Sequence, residues 1–169
     1  MNVQDKYIEQ YKILHSQKRY GTSSERQLVI PVQNLINKKN PQSVLDYGCG
    51  QSRLYTMITG PAIVDRYDPA IPGIDHIPLE HYDLVICTDV MEHIPREEID
   101  NVLHKLYTLG DIVFIVISCV LAHEILPNGE NAHITVESQA WWSKKLRELW
   151  PNAKINTDRH GYVSATLEK

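Results

Sequence analysis

Apolar residues first recur at helical spacing: Val3, Tyr7, Tyr11 and Leu14 share one stripe, which predicts an amphipathic helix over the first eighteen residues. Tyr20-Gly21-Thr22 breaks that pattern. Ser24, with Gln27 three residues on, has the form of a capping box, and Leu28, Val32, Leu35 and Ile36 continue a helix to about Asn37. Pro31 should bend this helix or delay its start. The period then changes. Short apolar runs at 43–47, 62–67, 83–88 and 111–118 read as strands. Helices fall at 54–58, along Ile99, Val102, Leu103 and Leu106, and along Trp142, Leu146 and Leu149, where Pro151 stops the chain's turn. Two last strands, 153–157 and 162–167, flank Arg159-His160-Gly161 and predict a hairpin at a sheet edge. Alternating strands and helices imply an α/β fold with a mainly parallel sheet, whose ligands bind at the carboxyl ends of the strands.

Composition narrows this picture. The chain of 169 residues is 43% hydrophobic and 22% charged, has no repeat or linker-like tract, and reads as one domain. A net charge of −4 with scattered Lys and Arg gives no basic field for a nucleic-acid backbone, so a small-molecule partner is expected and nucleic acid is not. No apolar run reaches the length of a signal peptide or a membrane span. Cys49, Cys87 and Cys119 are an odd number without metal-finger spacing, which points to a reducing, cytoplasmic setting. Each falls near a strand end and reads as a small buried residue.

The first chemical signal is Val44-Leu45-Asp46-Tyr47-Gly48-Cys49-Gly50-Gln51-Ser52, a strand running into a glycine turn that opens a helix. Glycines let a backbone approach a ligand closely, and a helix start offers free N–H groups. The nicotinamide fingerprint would need a third glycine where Arg53 and Leu54 stand, which weakens a nucleotide-dependent oxidoreductase. The stretch resembles motif I of the class I S-adenosylmethionine-dependent methyltransferases, and the order of elements follows that family over nearly the whole chain. The resemblance implies a Rossmann-like three-layer sandwich, with residues 1–40 as a helical lid and 41–169 as the core. It also implies that Asp46, Gly48, Gly50 and Asp89 line the cofactor pocket. In that family an acid ending the second strand holds both ribose hydroxyls, a task suited to a carboxylate. Asp68 occupies that place, with Asp65 as the competitor. Only 69–82 separates the second strand from Asp83, so the family's next helix, strand and helix are cut down. Asp75 is the candidate for the acid that contacts adenine.

A second resemblance lies in Tyr82-Asp83-Leu84-Val85 followed by Val90-Met91-Glu92-His93-Ile94-Pro95, similar to the element after the fourth strand of the family scheme. If the turn is helical, Asp89, Glu92 and His93 share one face. Two carboxylates and an imidazole suit a divalent metal such as Mg. The pattern is similar to that of ubiquinone-biosynthesis and small-RNA O-methyltransferases, in which a later histidine completes a metal site. His133 is placed to do so here, with His123 as an alternative. The same residues also fit a metal-free site, in which His93 or His133 is a general base and Glu92 packs the turn.

Together these features imply O-methylation of a small hydroxylated molecule, with Glu92, His93 and His133 facing the acceptor. The rival reading is a module that binds S-adenosylmethionine without methyl transfer, or uses its sulfonium for other chemistry. Tyr7, Tyr11, Tyr20 and Gly21 suit either a lid or ordinary packing. Trp141, off the stripe of its helix, suits substrate stacking or packing.

Overall fold

The computed structural model describes residues 3–169, so the first two positions of the expected N-terminal helix lie outside the described residues. That helix, α1, runs Val3–Gln17. The next expected helix is split into α2, Ser23–Gln27, and α3, Val29–Lys39. Pro31 explains the split: it has no N–H to return to Gln27, so the ladder restarts at Leu28, as the delayed-start alternative requires. The capping box does not form. Ser24 lies inside α2, and its hydroxyl donates instead to Ser52 Oγ at 2.8 Å. Asn40 ends α3 in the left-handed conformation, its amide on Ile36 O.

Six strands form one sheet: β1 Ser43–Tyr47, β2 Ile63–Tyr67, β3 Tyr82–Thr88, β4 Gly110–Ser118, β5 Lys154–Thr157 and β6 Tyr162–Glu168, in the order β2-β1-β3-β4-β6-β5. The first four are parallel, while β6 runs antiparallel to both β4 and β5 and makes the expected edge hairpin. β3 is apolar on both faces because both are covered, the signature of a parallel strand at a sheet's centre. β6 instead alternates, with Val163, Ala165 and Leu167 turned inward.

Helices α5, Ile99–Leu109, and α6, Gln139–Leu149, cover one face. Ile99, Val102, Leu103, Leu106 and Leu109 form a continuous apolar stripe on α5, and each such side chain contributes about 2 kcal/mol by leaving water. On the opposite face α3 and the short α4, Leu54–Met57, pack Val32, Ile36 and Leu54 on Val44, Leu84 and Ile86. The result is a three-layer α/β sandwich. Residues 68–81 contain neither helix nor strand, so the connection from β2 to β3 is a loop, as its length requires. A third apolar cluster joins Leu14 and the tyrosines of α1 to Leu126 and Ala132, and so fixes α1 against the loop after β4. No helix among the described residues is long and apolar enough to cross a membrane.

Candidate functional site

At the carboxyl ends of β1, β2 and β3 lies a cavity, lined by the glycine turn, the end of β2, the turn after β3 and α1. The glycine turn forms one wall. Gly48 has a φ of +71°, and a Cβ there would come within 2.5 Å of Val90. Gly50, at φ +53°, lies against the main chain of Gly21, whose carbonyl oxygen would be 2.8 Å from an added Cβ. Both positions therefore demand glycine. The amides of the turn are not free, contrary to the sequence expectation. Gly48 and Cys49 donate to Tyr67 O, at 2.7 and 3.1 Å, and Gly50 donates to Asp68 Oδ2 at 2.9 Å. The turn offers close approach rather than N–H donors, because β2 runs parallel beside β1 with Tyr67 opposite Tyr47, which puts the end of β2 against it.

Asp68 lines this cavity, and its other oxygen accepts from Ala70 N at 2.8 Å. Burial raises its pKa, while the two amide bonds and His15 oppose the rise. Asp65, the competitor, is absent from the cavity wall; its carboxylate accepts from Tyr82 Oη at 2.7 Å. Asp46 is also not where the resemblance put it. Alternation along β1 turns it away from the cavity, to the face that carries Val44, where it is almost wholly buried with Oδ2 unpartnered. Burial lifts its pKa to about 7, with Arg66 opposing the rise. Asp75 is exposed, 3.8 Å from His76, and does not reach the cavity, because residues 71–76 form an outward loop.

After β3 the chain turns sharply. Asp89 has a φ of +55°, and the 3₁₀ turn Met91–His93 begins only after it. The expected shared helical face is therefore not formed: Asp89 and His93 line the cavity, and Glu92 does not. The Asp89 carboxyl meets the Ser23 side chain, Oδ1 has no partner, and burial raises its pKa.

Glu92, His93 and His133 do converge: one ligand atom from each lies within 4.8 Å of the others, and Asp89 and His123 are outside the group. Glu92 is fully buried at the end of β4, where Oε1 accepts from Ser118 N at 2.9 Å and Oε2 has no partner. Burial and the nearby Asp89 raise its pKa well above the carboxylate range. His93 Nδ1 is 2.7 Å from Ala132 O, and His133 Nδ1 is 2.6 Å from Val120 O. A carbonyl only accepts, so each Nδ1 carries the proton and each Nε2 keeps a free lone pair. Burial and His133 push His93 down to about 3, and burial also lowers His133. Two neutral imidazoles held this way beside an orphaned carboxylate oxygen fit a divalent ion, whose ligands are ordinarily oriented through their far side.

The loop that delivers His133 is fixed by Asn131. Its Oδ1 accepts from Ala122 N and His133 N, and its Nδ2 donates to Ala122 O. Across the cavity mouth lies α1, contributing Tyr7, Tyr11 and His15, followed by Tyr20. Gln51 holds this segment down, with Oε1 on Tyr20 N and Nε2 on His15 O. Of these cavity residues sequence reasoning missed His15, and it missed Asn131, whose place two residues before His133 was the available signal. Trp141 packs edge-on against Trp142 under Arg96 and Lys145, away from the cavity.

With this geometry in view, the structure is similar to solved methyltransferases. A DhpI–SAM–HEP complex matches with a TM-score of 0.69 at 15% identity over all of both chains. Burkholderia thailandensis 1,6-didemethyltoxoflavin-N1-methyltransferase, solved with 1,6-didemethyltoxoflavin and S-adenosylhomocysteine, matches at 0.66 with 12% identity over all of this chain and 91% of that one. The chain shares the Rossmann-like α/β fold of these proteins. The methyltransferase domain of bacterial CtHen1-CN matches at 0.59 with 14% identity, over 86% of this chain and 98% of that one. No protein-family model matches the sequence, and no curated protein matches it.

Proposed function

We propose that this protein is an S-adenosylmethionine-dependent methyltransferase that methylates a hydroxyl of a small acceptor, with a divalent ion held by Glu92, His93 and His133. The fold and the cavity at the ends of β1–β3 support the cofactor, and neighbours of the same fold were solved with S-adenosylmethionine or S-adenosylhomocysteine. The observation that carries the acceptor side is the convergence of Glu92 with two histidines whose Nε2 lone pairs are free.

The cofactor supplies an activated methyl group on its sulfonium. The ion supplies a positive centre that lowers the pKa of an acceptor hydroxyl and orients its oxygen. The chain's own residues position these partners and keep water out. Asp68, its carboxylate fixed by two amides, would hold the ribose hydroxyls of a bound cofactor, and Asp89, with one unpaired oxygen, would meet its ammonium. Residues 3–40 act as the helical part of one domain with 41–169, with α1 as a lid.

A second reading makes His133 a metal-free general base, and it is the better candidate because burial and His133 push His93 down to about 3. The two readings separate on one assay: release of S-adenosylhomocysteine from S-adenosylmethionine with a panel of hydroxylated small molecules, with Mg or with chelator. Chelator-sensitive release supports the metal reading. Release that ignores chelator but falls with falling pH supports the base. Cofactor binding without release from any acceptor would favour a binding module and overturn the proposal.

A further inference from the structure

The end of α1, the residues after the glycine turn and β2 line a second, more open groove. Its wall carries His15, Lys18, Arg19, Arg53 and Arg66 and no carboxylate. On a chain of net charge −4, four of the seventeen Lys and Arg residues thus meet in one place. The sequence, in which these cations look scattered, conceals this gathering.

The neighbouring acids only partly answer them. Glu25 takes Arg19 Nη2 at 2.9 and 2.7 Å and the Arg53 amide at 2.6 Å, and Glu124 takes Lys18 Nζ at 2.6 Å. The Arg53 guanidinium makes no hydrogen bond among the described residues. Arg66 stacks 4.5 Å over the ring of Tyr55, its Nε is buried without a partner, its guanidinium reaches Gly50 O at 3.4 Å and the Cys49 thiol, and its charge is felt by the buried Asp46 and Asp68.

The acids lie behind the wall, so the surface that lines the groove presents cations alone, and it draws an incoming anion. The planar guanidinium forks match a phosphate, whose several oxygens can meet two arginines at once, better than a single carboxylate does. S-adenosylmethionine has no phosphate, so the groove answers a different ligand. We propose that this groove is a phosphate-binding site, in which Arg53 and Arg66 contact the phosphate and Lys18, Arg19 and His15 supply the surrounding field. It stands on its own geometry and does not rest on methyl transfer. His15 also lines the cofactor cavity, so a phosphate bound here lies beside that cavity.

The test is isothermal titration of the full chain with inorganic pyrophosphate at low ionic strength, alongside S-adenosylhomocysteine. The wild type should bind pyrophosphate. Arg53→Glu, at an exposed position, should weaken that binding roughly tenfold or more, since a charge-assisted contact becomes a repulsion. S-adenosylhomocysteine affinity should not change, and the remote Lys144→Glu should alter neither. A short single-stranded oligonucleotide forms a second arm. Binding tighter than pyrophosphate, with a steep loss as salt rises, assigns the phosphate to a nucleic-acid strand, whereas binding no tighter assigns it to a small phosphorylated ligand. Should melting show Arg53→Glu unfolded, Lys18→Gln carries the same comparison. No pyrophosphate binding, or equal binding by wild type and variant, overturns the proposal.

Discussion

The phenol oxygen of Tyr11 lies 3.1 Å from Nδ1 of His93, and both groups reach the same acceptor, the carbonyl of Ala132, at 2.8 and 2.7 Å. One carbonyl therefore ties α1 to the histidine pair. Tyr11→Phe should leave the fold intact and weaken the docking of α1 by about 1 kcal/mol, the net worth of one hydrogen bond. Hydrogen exchange of α1 amides should accelerate several-fold in the variant, with β3 and β4 unaffected. Unchanged exchange would show that the apolar cluster around Leu14 holds α1 by itself.

Asp68 and Asp65 make opposite predictions. Asp68→Ala should weaken S-adenosylhomocysteine binding by roughly tenfold or more, because the carboxylate and two amide bonds vanish together. Asp65→Ala should leave that affinity unchanged and cost about 1 kcal/mol of stability through the lost Tyr82 bond. Calorimetry on the two variants decides, and equal affinities would remove Asp68 from the cofactor site.

Asp46 sets a pH dependence. Its pKa is raised by burial from 3.8 to about 7, so between those values the folded protein keeps a proton that the unfolded chain has released. Stability contributed by this group is therefore full at low pH and is lost as pH climbs from about 4 to about 7. Asp46→Asn should remove that slope and be more stable near neutral pH, by an amount of the order of a few kcal/mol. Thermal melts of both proteins across this range check the sign, and parallel curves would refute it.

The metal reading predicts binding without any acceptor. Protein stripped with chelator should gain thermal stability when Mg or Mn is added. Glu92→Gln and His133→Ala should lose most of that gain, because each removes one of three ligands. Asp89→Asn should keep it, since Asp89 lies outside the group. Equal stabilisation of wild type and all three variants would leave His133 as a base.

The sheet was largely legible because β1, β3 and β4 are apolar runs bounded by turn residues, and the helical stripe of α5 is unbroken. The site was legible in part. Glu92, His93 and His133 were named from sequence, yet the inclusion of Asp89 assumed a helix that its left-handed backbone forbids. Asp46 was misplaced because a motif gives a residue's position in the chain, whereas the strand's pleat decides which face it meets. The basic groove was hidden because its residues come from α1, the turn after β1 and β2, segments that only the fold brings together.

The main chains of Gly21 and Gly50 touch with no side chain between them, so the segment after α1 closes directly on the glycine turn. Under the proposed activity this seam dictates an order of addition. S-adenosylmethionine is seated before the seam shuts, and the acceptor reaches half-exposed His133 from the other side afterwards. The spent cofactor leaves only when the seam parts again. With α1 as a lid, each catalytic cycle would contain one opening of α1, and the frequency of that opening would be a ceiling on the rate that no improvement at the histidines could raise.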